Sequence, residues 1–332
     1  MLRMFKKFVK KHNLPTYRIS QINNHYYKDF VSSWDEMSTL PKDLREKLKE
    51  EIPFSKLTYI SSNTSKDGNT QKVLFKTVQG NYIESVLMKE KGRNTVCVSC
   101  MSGCPVGCIF CATGQMGLNE NLDSQQILDQ ILYFCRILKA QNERVTNIVY
   151  MGMGEPLLNL ENVSLSIIAI TAKEMLAFSK RRVTLSTSGY VQNLRTFLAK
   201  NLGVKIAISL HAPNQKLRNM LMPSVSNSNS LESLLDTLDS YTKKSNKRIT
   251  YEYVLLRNIN DSVEHAKELA NLLTGRLALV NLINYNENEC LPFKKSKNTP
   301  LFQRILQERG IRCTIRKSLG EDIKGACGQL AS

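Results

Sequence analysis

The pattern of hydrophobic and polar residues changes near residue 93 of the chain. Beyond that point, short apolar runs typical of buried strands alternate with longer segments in which apolar residues recur every three or four positions. In one such segment Ile127, Ile131, Phe134 and Leu138 fall on a single helical face. The pattern predicts strands at 94–99, 146–151, 182–187, 205–210, 249–256 and 278–284. It predicts helices at 124–140, 161–177, 191–201, 230–244, 262–274 and 300–310.

Six successive strand–helix units predict an α/β fold with a parallel sheet and right-handed crossovers. Asp123 and Gln126 have the spacing of a capping box before the first long helix. In folds of this kind the functional groups gather at the carboxyl ends of the strands. We therefore expect the chemistry of this protein in the loops that follow the strands.

The part of the chain before residue 93 has a different pattern. Leu40, Leu44 and Leu48 recur at helical spacing after Pro41, which predicts a small helical accessory region. Strand-like alternation follows, with turns predicted at Gly68-Asn69 and Gly80-Asn81. The predicted strands there are 57–61, 72–77 and 82–88. We expect four segments: a helical accessory domain at 1–50, a β-rich extension at 51–89, a core barrel at 90–322 and a C-terminal segment at 323–332.

Composition and charge narrow the class of protein. The chain has 332 residues, of which 42% are hydrophobic and 23% charged, so it has enough apolar residues for a sizeable core. Forty-six Lys and Arg against 29 Asp and Glu give a net charge of +17. This charge favours binding of a polyanion such as nucleic acid over the alternative that the basic surface serves only solubility. No run approaches the roughly 18 apolar residues of a membrane helix.

The N-terminus MLRMFKKFVKKHNL is basic but has no apolar core, so it is not a secretory signal. It predicts an amphipathic first helix, and an organellar transit peptide stays open because no acidic residue precedes Asp29. We expect a cytoplasmic protein that does not bind membranes.

Five of the nine cysteines lie within fifteen positions, at Cys97, Cys100, Cys104, Cys108 and Cys111. An odd number of cysteines without an export signal argues against a disulfide framework. The last three form a CxxxCxxC motif after the first core strand. Three such thiolates suit a [4Fe–4S] cluster whose fourth iron stays open to a substrate or cofactor. The alternative is a zinc site completed by Cys97 or Cys100.

Two features resemble the radical S-adenosylmethionine (SAM) enzymes. Phe110 precedes the last cysteine of the motif, and Gly152-Met-Gly154-Glu155-Pro ends the second strand. A glycine there lets the backbone approach SAM, and the carboxylate suits its ammonium group. The alternative is that this segment is only a tight turn between strand and helix.

Further motifs make the resemblance more specific: the chain resembles the RlmN/Cfr family of RNA adenosine-C2 methyltransferases. The motifs that carry it run in order from about residue 17 to the C-terminus: CPVGCIFCATG, MGMGEPLLN, RRVTLSTSG, AISLHAP, LMP, YEYVLL, NDS, VNLI and DIKGACGQL. GEPLLN is similar to the RlmN branch, whereas the Cfr branch modifies C8. The resemblance implies a partial (βα)6 radical SAM barrel with an accessory RNA-binding domain at residues 1–50. It implies 23S rRNA and tRNA as substrates, a reducing electron donor, and SAM and a [4Fe–4S] cluster as cofactors.

The resemblance also implies roles for matched residues. The implied cluster ligands are Cys104, Cys108 and Cys111. The implied SAM-binding residues are Gly154, Glu155, Ser186, Ser209, Leu210, His211 and Asn286. Cys327 is implied as the methyl carrier, Cys97 as its resolving partner and Glu84 as the proton acceptor.

These roles suit the chemistry of adenine C2, which is electron-poor and cannot attack the SAM methyl group. A thiolate first takes a methyl group from one SAM by displacement. A second SAM is cleaved to a 5′-deoxyadenosyl radical, which abstracts hydrogen from that methyl group, and the carbon radical adds to C2. After loss of the C2 proton, a second thiolate attacks the carrier sulfur and frees the product as a disulfide forms.

Some positions depart from the family pattern. Cys100 and Met101 stand where most relatives carry Ser and Gln, and Asn284 and Glu287 replace prolines around Asn286. Cys135 lies on an apolar helix face and is expected in the core. The alternative functions are a Cys-rich nucleic-acid-binding protein with a structural metal site and a C8-methylating enzyme of the Cfr type. We expect a monomer.

Overall fold

The computed structural model describes residues 2–331, and ten of its strands form one sheet. The twelve strands are β1 (Leu57–Thr64), β2 (Thr70–Thr77), β3 (Tyr82–Glu90), β4 (Arg93–Val98), β5 (Met101–Cys104), β6 (Gly117–Asn121), β7 (Asn147–Tyr150), β8 (Val183–Thr187), β9 (Lys205–Ser209), β10 (Ile249–Leu255), β11 (Ala278–Asn284) and β12 (Cys313–Arg316).

Twelve α-helices pack with these strands in the described part of the chain. They are α1 (Leu2–Lys11), α2 (Tyr17–Tyr27), α3 (Lys42–Glu51), α4 (Ala112–Gln115), α5 (Ser124–Ala140), α6 (Leu160–Thr171), α7 (Val191–Ala199), α8 (Gln215–Leu221), α9 (Pro223–Ser228), α10 (Leu231–Ser245), α11 (Val263–Leu273) and α12 (Thr299–Glu308). Within residues 2–331, no helix is long and apolar enough to cross a membrane.

The large sheet has the order β1-β2-β3-β4-β7-β8-β9-β10-β11-β12. The first four strands pair antiparallel, whereas β4 and then β7 to β12 pair parallel with each neighbour. Apart from the separate β5–β6 hairpin between β4 and β7, neighbours in the parallel part follow one another along the chain, as successive strand–helix units of one hand require. The predicted α/β fold with a helical N-terminal region and a β extension is confirmed.

Three parts of the fold differ from the sequence prediction. Strand β12 adds a seventh parallel strand, and β5 pairs with β6 in a separate hairpin. β12, β5 and β6 have only four or five residues each, so their alternation is too short to recognise in the sequence. Helix α6 ends at Thr171 rather than 177, because Ala172 takes an extended conformation and its carbonyl accepts hydrogen bonds from the amides of Met175 and Ala177.

Helix α5 shows how the sequence specifies a barrel helix. The Asp123 carboxylate accepts hydrogen bonds from the amides of Gln125 and Gln126, and the Gln126 side chain bonds back to the Asp123 amide, which confirms the predicted capping box. The face that includes Ile127, Ile131 and Phe134 is buried against the sheet, together with Cys135. Cys135 is therefore a core residue, as predicted.

An aromatic cluster joins the N-terminal helices to the barrel. The rings of Tyr26 and Trp34 stack at 5.8 Å, and Phe54 packs edge-on against both. Buried Asp129 of α5 accepts hydrogen bonds from the Lys56 amide at 2.7 Å and from the Tyr26 hydroxyl at 3.4 Å. One carboxylate thus connects the helical region, the β extension and the barrel.

The last residues of the chain run from β12 to the β extension and to the cysteine loop. The Lys66 amide donates to Asp322 at 2.8 Å, and the Lys72 ammonium donates to the Lys324 carbonyl at 3.3 Å. The Ala112 amide, next to the cysteine motif, donates to the Gly328 carbonyl at 2.8 Å. These contacts hold the segment that carries Cys327 at the carboxyl ends of the strands.

Candidate active site

Cys104, Cys108 and Cys111 of the CxxxCxxC motif line one cavity of about 900 Å³, which we call the cluster cavity. Cys104 ends β5, and Cys111 precedes α4. The loop is tightly wound, because the Cys111 amide donates to the Cys108 carbonyl at 3.1 Å and a Cβ at Gly114 would lie only 2.8 Å from that same oxygen. Burial raises the pKa of the Cys104 thiol to about 12.

The thiol arrangement fits a cluster better than a single ion. Among residues 2–331, no group of three or more His, Cys, Asp or Glu side chains could hold one metal ion. A four-iron cluster places each thiolate on a different iron, so its ligands need not converge on one point. The cavity that Cys104, Cys108 and Cys111 line is about 900 Å³ and has other walls from β7 to β11, so a cluster and a ligand on its fourth iron could share it.

The turn after β7 needs its two glycines for packing. A Cβ at Gly152 would lie 2.8 Å from the backbone of Val98, and one at Gly154 would lie 2.6 Å from Met101. Gly154 also has φ +101°, which L-residues with side chains rarely adopt. The amides of Cys100 and Met101 both donate to the Met153 carbonyl. The two glycines let this turn lie directly on the strand end that leads to the cysteines, at the cavity wall.

Glu155 is buried and lines the cavity, but its carboxylate already has four donors. Oε1 accepts from the Leu157 amide at 3.0 Å and the Thr187 hydroxyl at 2.5 Å, and Oε2 accepts from both the amide and hydroxyl of Ser188 at 2.7 Å. Burial raises the pKa of Glu155, although these hydrogen bonds oppose the rise. Glu155 therefore joins the ends of β7 and β8 as well as facing the cavity.

His211 follows β9 with φ +56° and also lines the cavity. Its Nδ1 accepts a hydrogen bond from the Val254 amide at 3.0 Å, so in the neutral ring the proton lies on Nε2. Its ring packs edge-on against Phe110 at 4.9 Å. Burial lowers the pKa of His211 to about 3, with a further contribution from Arg218, so the ring is neutral at ordinary pH.

The other predicted SAM residues divide into three kinds. Ser186 and Ser209 line the cavity with the cysteines. Leu210 is fully buried and not among the lining residues, and it contributes backbone bonds to Glu252 and Arg218. Asn286 faces a second cavity instead.

The second cavity has about 460 Å³ and brings the two predicted redox cysteines together. Cys97 of β4 and Cys327 of the C-terminal segment both line it, and Cys327 lines the cluster cavity as well. The Asn286 side-chain amide donates to the Cys327 carbonyl at 3.0 Å. Burial raises the pKa of the Cys97 thiol to about 12. All nine cysteines are free thiols.

Glu84 lies beside the C-terminal segment and not on either cavity wall. Its Oε1 forms an ion pair with the Lys72 ammonium at 2.7 Å, and Oε2 accepts from the Ala331 amide at 3.0 Å. Both Glu84 and Lys72 are largely buried. Cys100 is also buried, and it lines neither of the two cavities.

Three charged residues of the site were not predicted from the sequence. Arg218 of α8 is buried and donates to the carbonyls of Ser188 and Leu210. Glu252 of β10 and Arg316 of β12 line the cluster cavity. The sequence could have indicated Glu252 as a site residue, because it is an acidic residue inside a predicted apolar strand. Arg316 could not be found in this way, because its strand was not predicted.

Comparison with known proteins identifies the family. The family model described as Radical SAM superfamily matches residues 98–273, and the one described as Ribosomal RNA large subunit methyltransferase N-terminal domain matches residues 2–53. A relative from Campylobacter jejuni (strain RM1221), named Dual-specificity RNA methyltransferase RlmN, is 43% identical over 95% of this chain and 92% of its own length. The chain belongs to the RlmN family of radical SAM RNA methyltransferases.

A second RlmN relative, from Dictyoglomus thermophilum, is 42% identical over 95% of this chain and 90% of its own length. The crystal structure of a radical SAM methyltransferase from Sphaerobacter thermophilus superposes with a TM-score of 0.96 at 40% identity, covering 99% of this chain and 97% of that one. The predicted family, enzyme class and cofactors are confirmed, since radical SAM enzymes use a [4Fe–4S] cluster and SAM. Membership in an enzyme family weighs against the alternative of a binding protein with structural zinc.

Proposed function

We propose that this chain methylates C2 of adenosine in two RNAs: 23S rRNA in the peptidyl-transferase region, and tRNA at the adenosine 3′ of the anticodon. The dual-specificity RlmN relatives support both substrates, because the likeness covers nearly the whole chain. The observation that carries the proposal is the position of Cys327, which lines both the cluster cavity and the cavity of Cys97. A methyl carrier needs access to the radical source and to the thiol that releases the product.

We assign Cys104, Cys108 and Cys111 to the cluster, which when bound with SAM supplies one-electron radical chemistry. Gly154, Glu155, Ser186, Ser209 and His211 would hold SAM in the cavity they line. His211 is suited to donate from Nε2, because its Nδ1 is occupied by the Val254 amide. Leu210 would act only through its backbone, whose hydrogen bonds to Glu252 and Arg218 fix the path of the chain beside His211.

Cys327 would act first as a nucleophile. Its thiolate displaces the methyl group of SAM, so a carbon–sulfur bond forms as the sulfonium bond breaks. The methyl group then becomes the carbon bridge to adenine C2. Asn286 holds the Cys327 carbonyl during these steps and so orients the loop.

Glu84 would accept the proton lost from C2, and Cys97 would release the product. One Glu84 oxygen forms an ion pair with Lys72, and the Ala331 amide occupies the other. The segment around Ala331 must therefore shift for Glu84 to face the RNA. Radical addition leaves one unpaired electron on the base, and the oxidised cluster that gave an electron to SAM would take it back. The Cys97 thiolate then attacks the Cys327 sulfur, a disulfide forms, and the carbon–sulfur bond breaks with its electron pair on carbon. That carbon then takes a proton and becomes the methyl group of the product.

RNA would approach along basic surface at the N-terminal helices. Lys6, Lys7 and Lys10 are exposed on α1, whose apolar face is buried. The target adenosine must leave its stack to enter the site, which costs a few kcal/mol. The proposal also includes a monomer in the cytoplasm and a reducing protein or small molecule as the electron donor.

The test is methylation of defined RNAs by the anaerobically reconstituted enzyme. A 23S rRNA fragment and a tRNA are incubated with SAM and a reductant, digested to nucleosides and analysed by mass spectrometry against 2-methyladenosine and 8-methyladenosine standards. We expect 2-methyladenosine from both RNAs, with none from Cys327→Ala. Exclusive 8-methyladenosine would assign the Cfr-type reaction instead, and no methylated adenosine from either RNA would refute the proposal.

A further inference from the structure

Arg316 lies where the two cavities of the site meet. It ends β12 and lines both the cavity of the cluster cysteines and the cavity of Cys97 and Cys327. Its guanidinium donates to the Met151 sulfur at 3.1 Å. In the part of the chain that the structure describes, Arg316 forms no ion pair with a carboxylate.

The Arg316 side chain is half-buried, and a guanidinium that is partly removed from water is stabilised by nearby negative charge. Cys97, Cys327, Met151 and Lys317 line the smaller cavity with Arg316. Glu252 and the three cysteines of the CxxxCxxC motif line the larger cavity with it. The pKa of Arg316 is raised chiefly by negative charge on Cys327, and also by Glu252 and Cys97. The pKa of Cys97 is raised by burial, and Arg316 opposes that rise.

We propose that Arg316 is a positioning residue that stabilises the Cys327 thiolate during methyl transfer and then the Cys97 thiolate during product release. This inference rests on the proposed function of the two cysteines. In the first step the Cys327 thiol proton passes to cavity water, and the sulfur electron pair forms a bond to the SAM methyl carbon. The sulfonium bond breaks and its electron pair stays on the departing S-adenosylhomocysteine.

One cation can serve both thiols because the first step removes a negative charge. Methylated Cys327 is a neutral thioether, so it no longer competes for the guanidinium. Arg316 is then free to stabilise the thiolate of Cys97, which faces the same cavity. The electron pair of Cys97 forms the disulfide, and that of the broken carbon–sulfur bond leaves with the product carbon.

The test compares Arg316→Met, which removes the charge, with Arg316→Lys, which keeps it. Arg312→Met, at an exposed arginine just before the same strand, is the matched control. Each chain is made by cell-free translation in an extract freed of SAM, so that Cys327 starts unmethylated, and its cluster is reconstituted anaerobically. Two quantities are measured by peptide mass spectrometry: the rate of iodoacetamide reaction at Cys327 relative to exposed Cys290, and the methyl group gained by Cys327 after addition of SAM.

We expect Arg316→Met to lower the relative alkylation rate of Cys327 about tenfold or more, since the thiolate is the reactive species. Methyl transfer to Cys327 should fall in parallel, with partial recovery in Arg316→Lys and no change in Arg312→Met. Iron content and protection of buried Cys135 from iodoacetamide report whether each variant is folded.

An alkylation ratio for folded Arg316→Met equal to that of the unaltered chain would overturn the inference. So would loss in Arg316→Lys as complete as in Arg316→Met, because the charge would then not be the cause. Failure of the proposed function has a different signature: the unaltered chain would gain no methyl group at Cys327, while the alkylation ratio would still report the influence of Arg316.

Discussion

The side-chain amide of Asn286 donates a hydrogen bond of 3.0 Å to the backbone carbonyl of Cys327. Asn286 follows β11, and Cys327 lies on the C-terminal segment that crosses from β12 to the β extension. The bond therefore ties the proposed methyl carrier to the carboxyl end of a barrel strand. Asn286 thus helps to position the loop that contains Cys327.

Replacing Asn286 with Asp should remove the donor and place a carboxylate against the Cys327 carbonyl. Losing one hydrogen bond of this kind costs about 1 kcal/mol, so the rate of methyl transfer to Cys327 should fall about fivefold. SAM affinity, measured by equilibrium dialysis with the reconstituted protein, should change little. A weaker affinity for SAM with an unchanged methyl-transfer rate would assign Asn286 to SAM instead.

Each of Cys104→Ala, Cys108→Ala and Cys111→Ala should lower the iron content and abolish formation of 5′-deoxyadenosine from SAM. The reason is that a cluster missing one of its three thiolates is held poorly. Iron and sulfide analysis with chromatography of the SAM products measures both effects. Cys290→Ala, at an exposed thiol outside the cavities, is the control. Undiminished 5′-deoxyadenosine in any of the three variants would contradict the cluster assignment.

Cys97→Ala should accumulate RNA covalently joined to Cys327, because the thiol that resolves the adduct is missing. Denaturing electrophoresis followed by peptide mass spectrometry detects the adduct. Cys100 is not expected to take over, since it is buried and lines neither cavity. The double change Cys97→Ala/Cys100→Ala should therefore trap as much RNA as the single change. Normal turnover by the double variant would show that neither thiol resolves the adduct, and trapping by Cys327→Ala would mean another carrier.

Replacing Lys6, Lys7 and Lys10 together should weaken RNA binding and flatten its dependence on salt. Each lost phosphate contact should reduce the log–log salt slope by about one unit. Lys11 is left in place because its ammonium is paired with Glu51 at 2.8 Å. The matched control replaces exposed Lys243, Lys244 and Lys267 on α10 and α11. An equal effect from both triple variants would move the RNA surface away from α1.

Asp129 should make stability depend on pH. Burial raises its pKa from 3.8 to about 6, so the native state holds this proton more tightly than the unfolded chain. Its stabilising contribution is full below pH 3.8 and is lost as pH rises through about 6. The free energy of unfolding of the unaltered chain, relative to Asp129→Asn, should fall by about 1 kcal/mol between about pH 5 and 7.5 in urea titrations. A difference that stays constant or grows with pH would contradict the direction of this pKa shift.

Much of the site was predictable from sequence because its chemistry is local. The cluster thiols lie within one loop, so their spacing alone indicates the ligand set. The alternation of strands and helices likewise depends on near neighbours, and the six predicted core strands and the capping box at Asp123 are present. The resemblance to a family added roles to particular residues, and the family itself is confirmed over almost the full chain.

Tertiary structure decided what depends on segments that lie far apart in sequence. Cys97, Cys327 and Arg316 share one cavity only because β4, β12 and the C-terminal segment come together. No local spacing encodes such contacts, because they depend on strand order and on the path of the last residues. The amino-acid sequence thus determined the family and how the elements form, whereas packing determined which side chains meet.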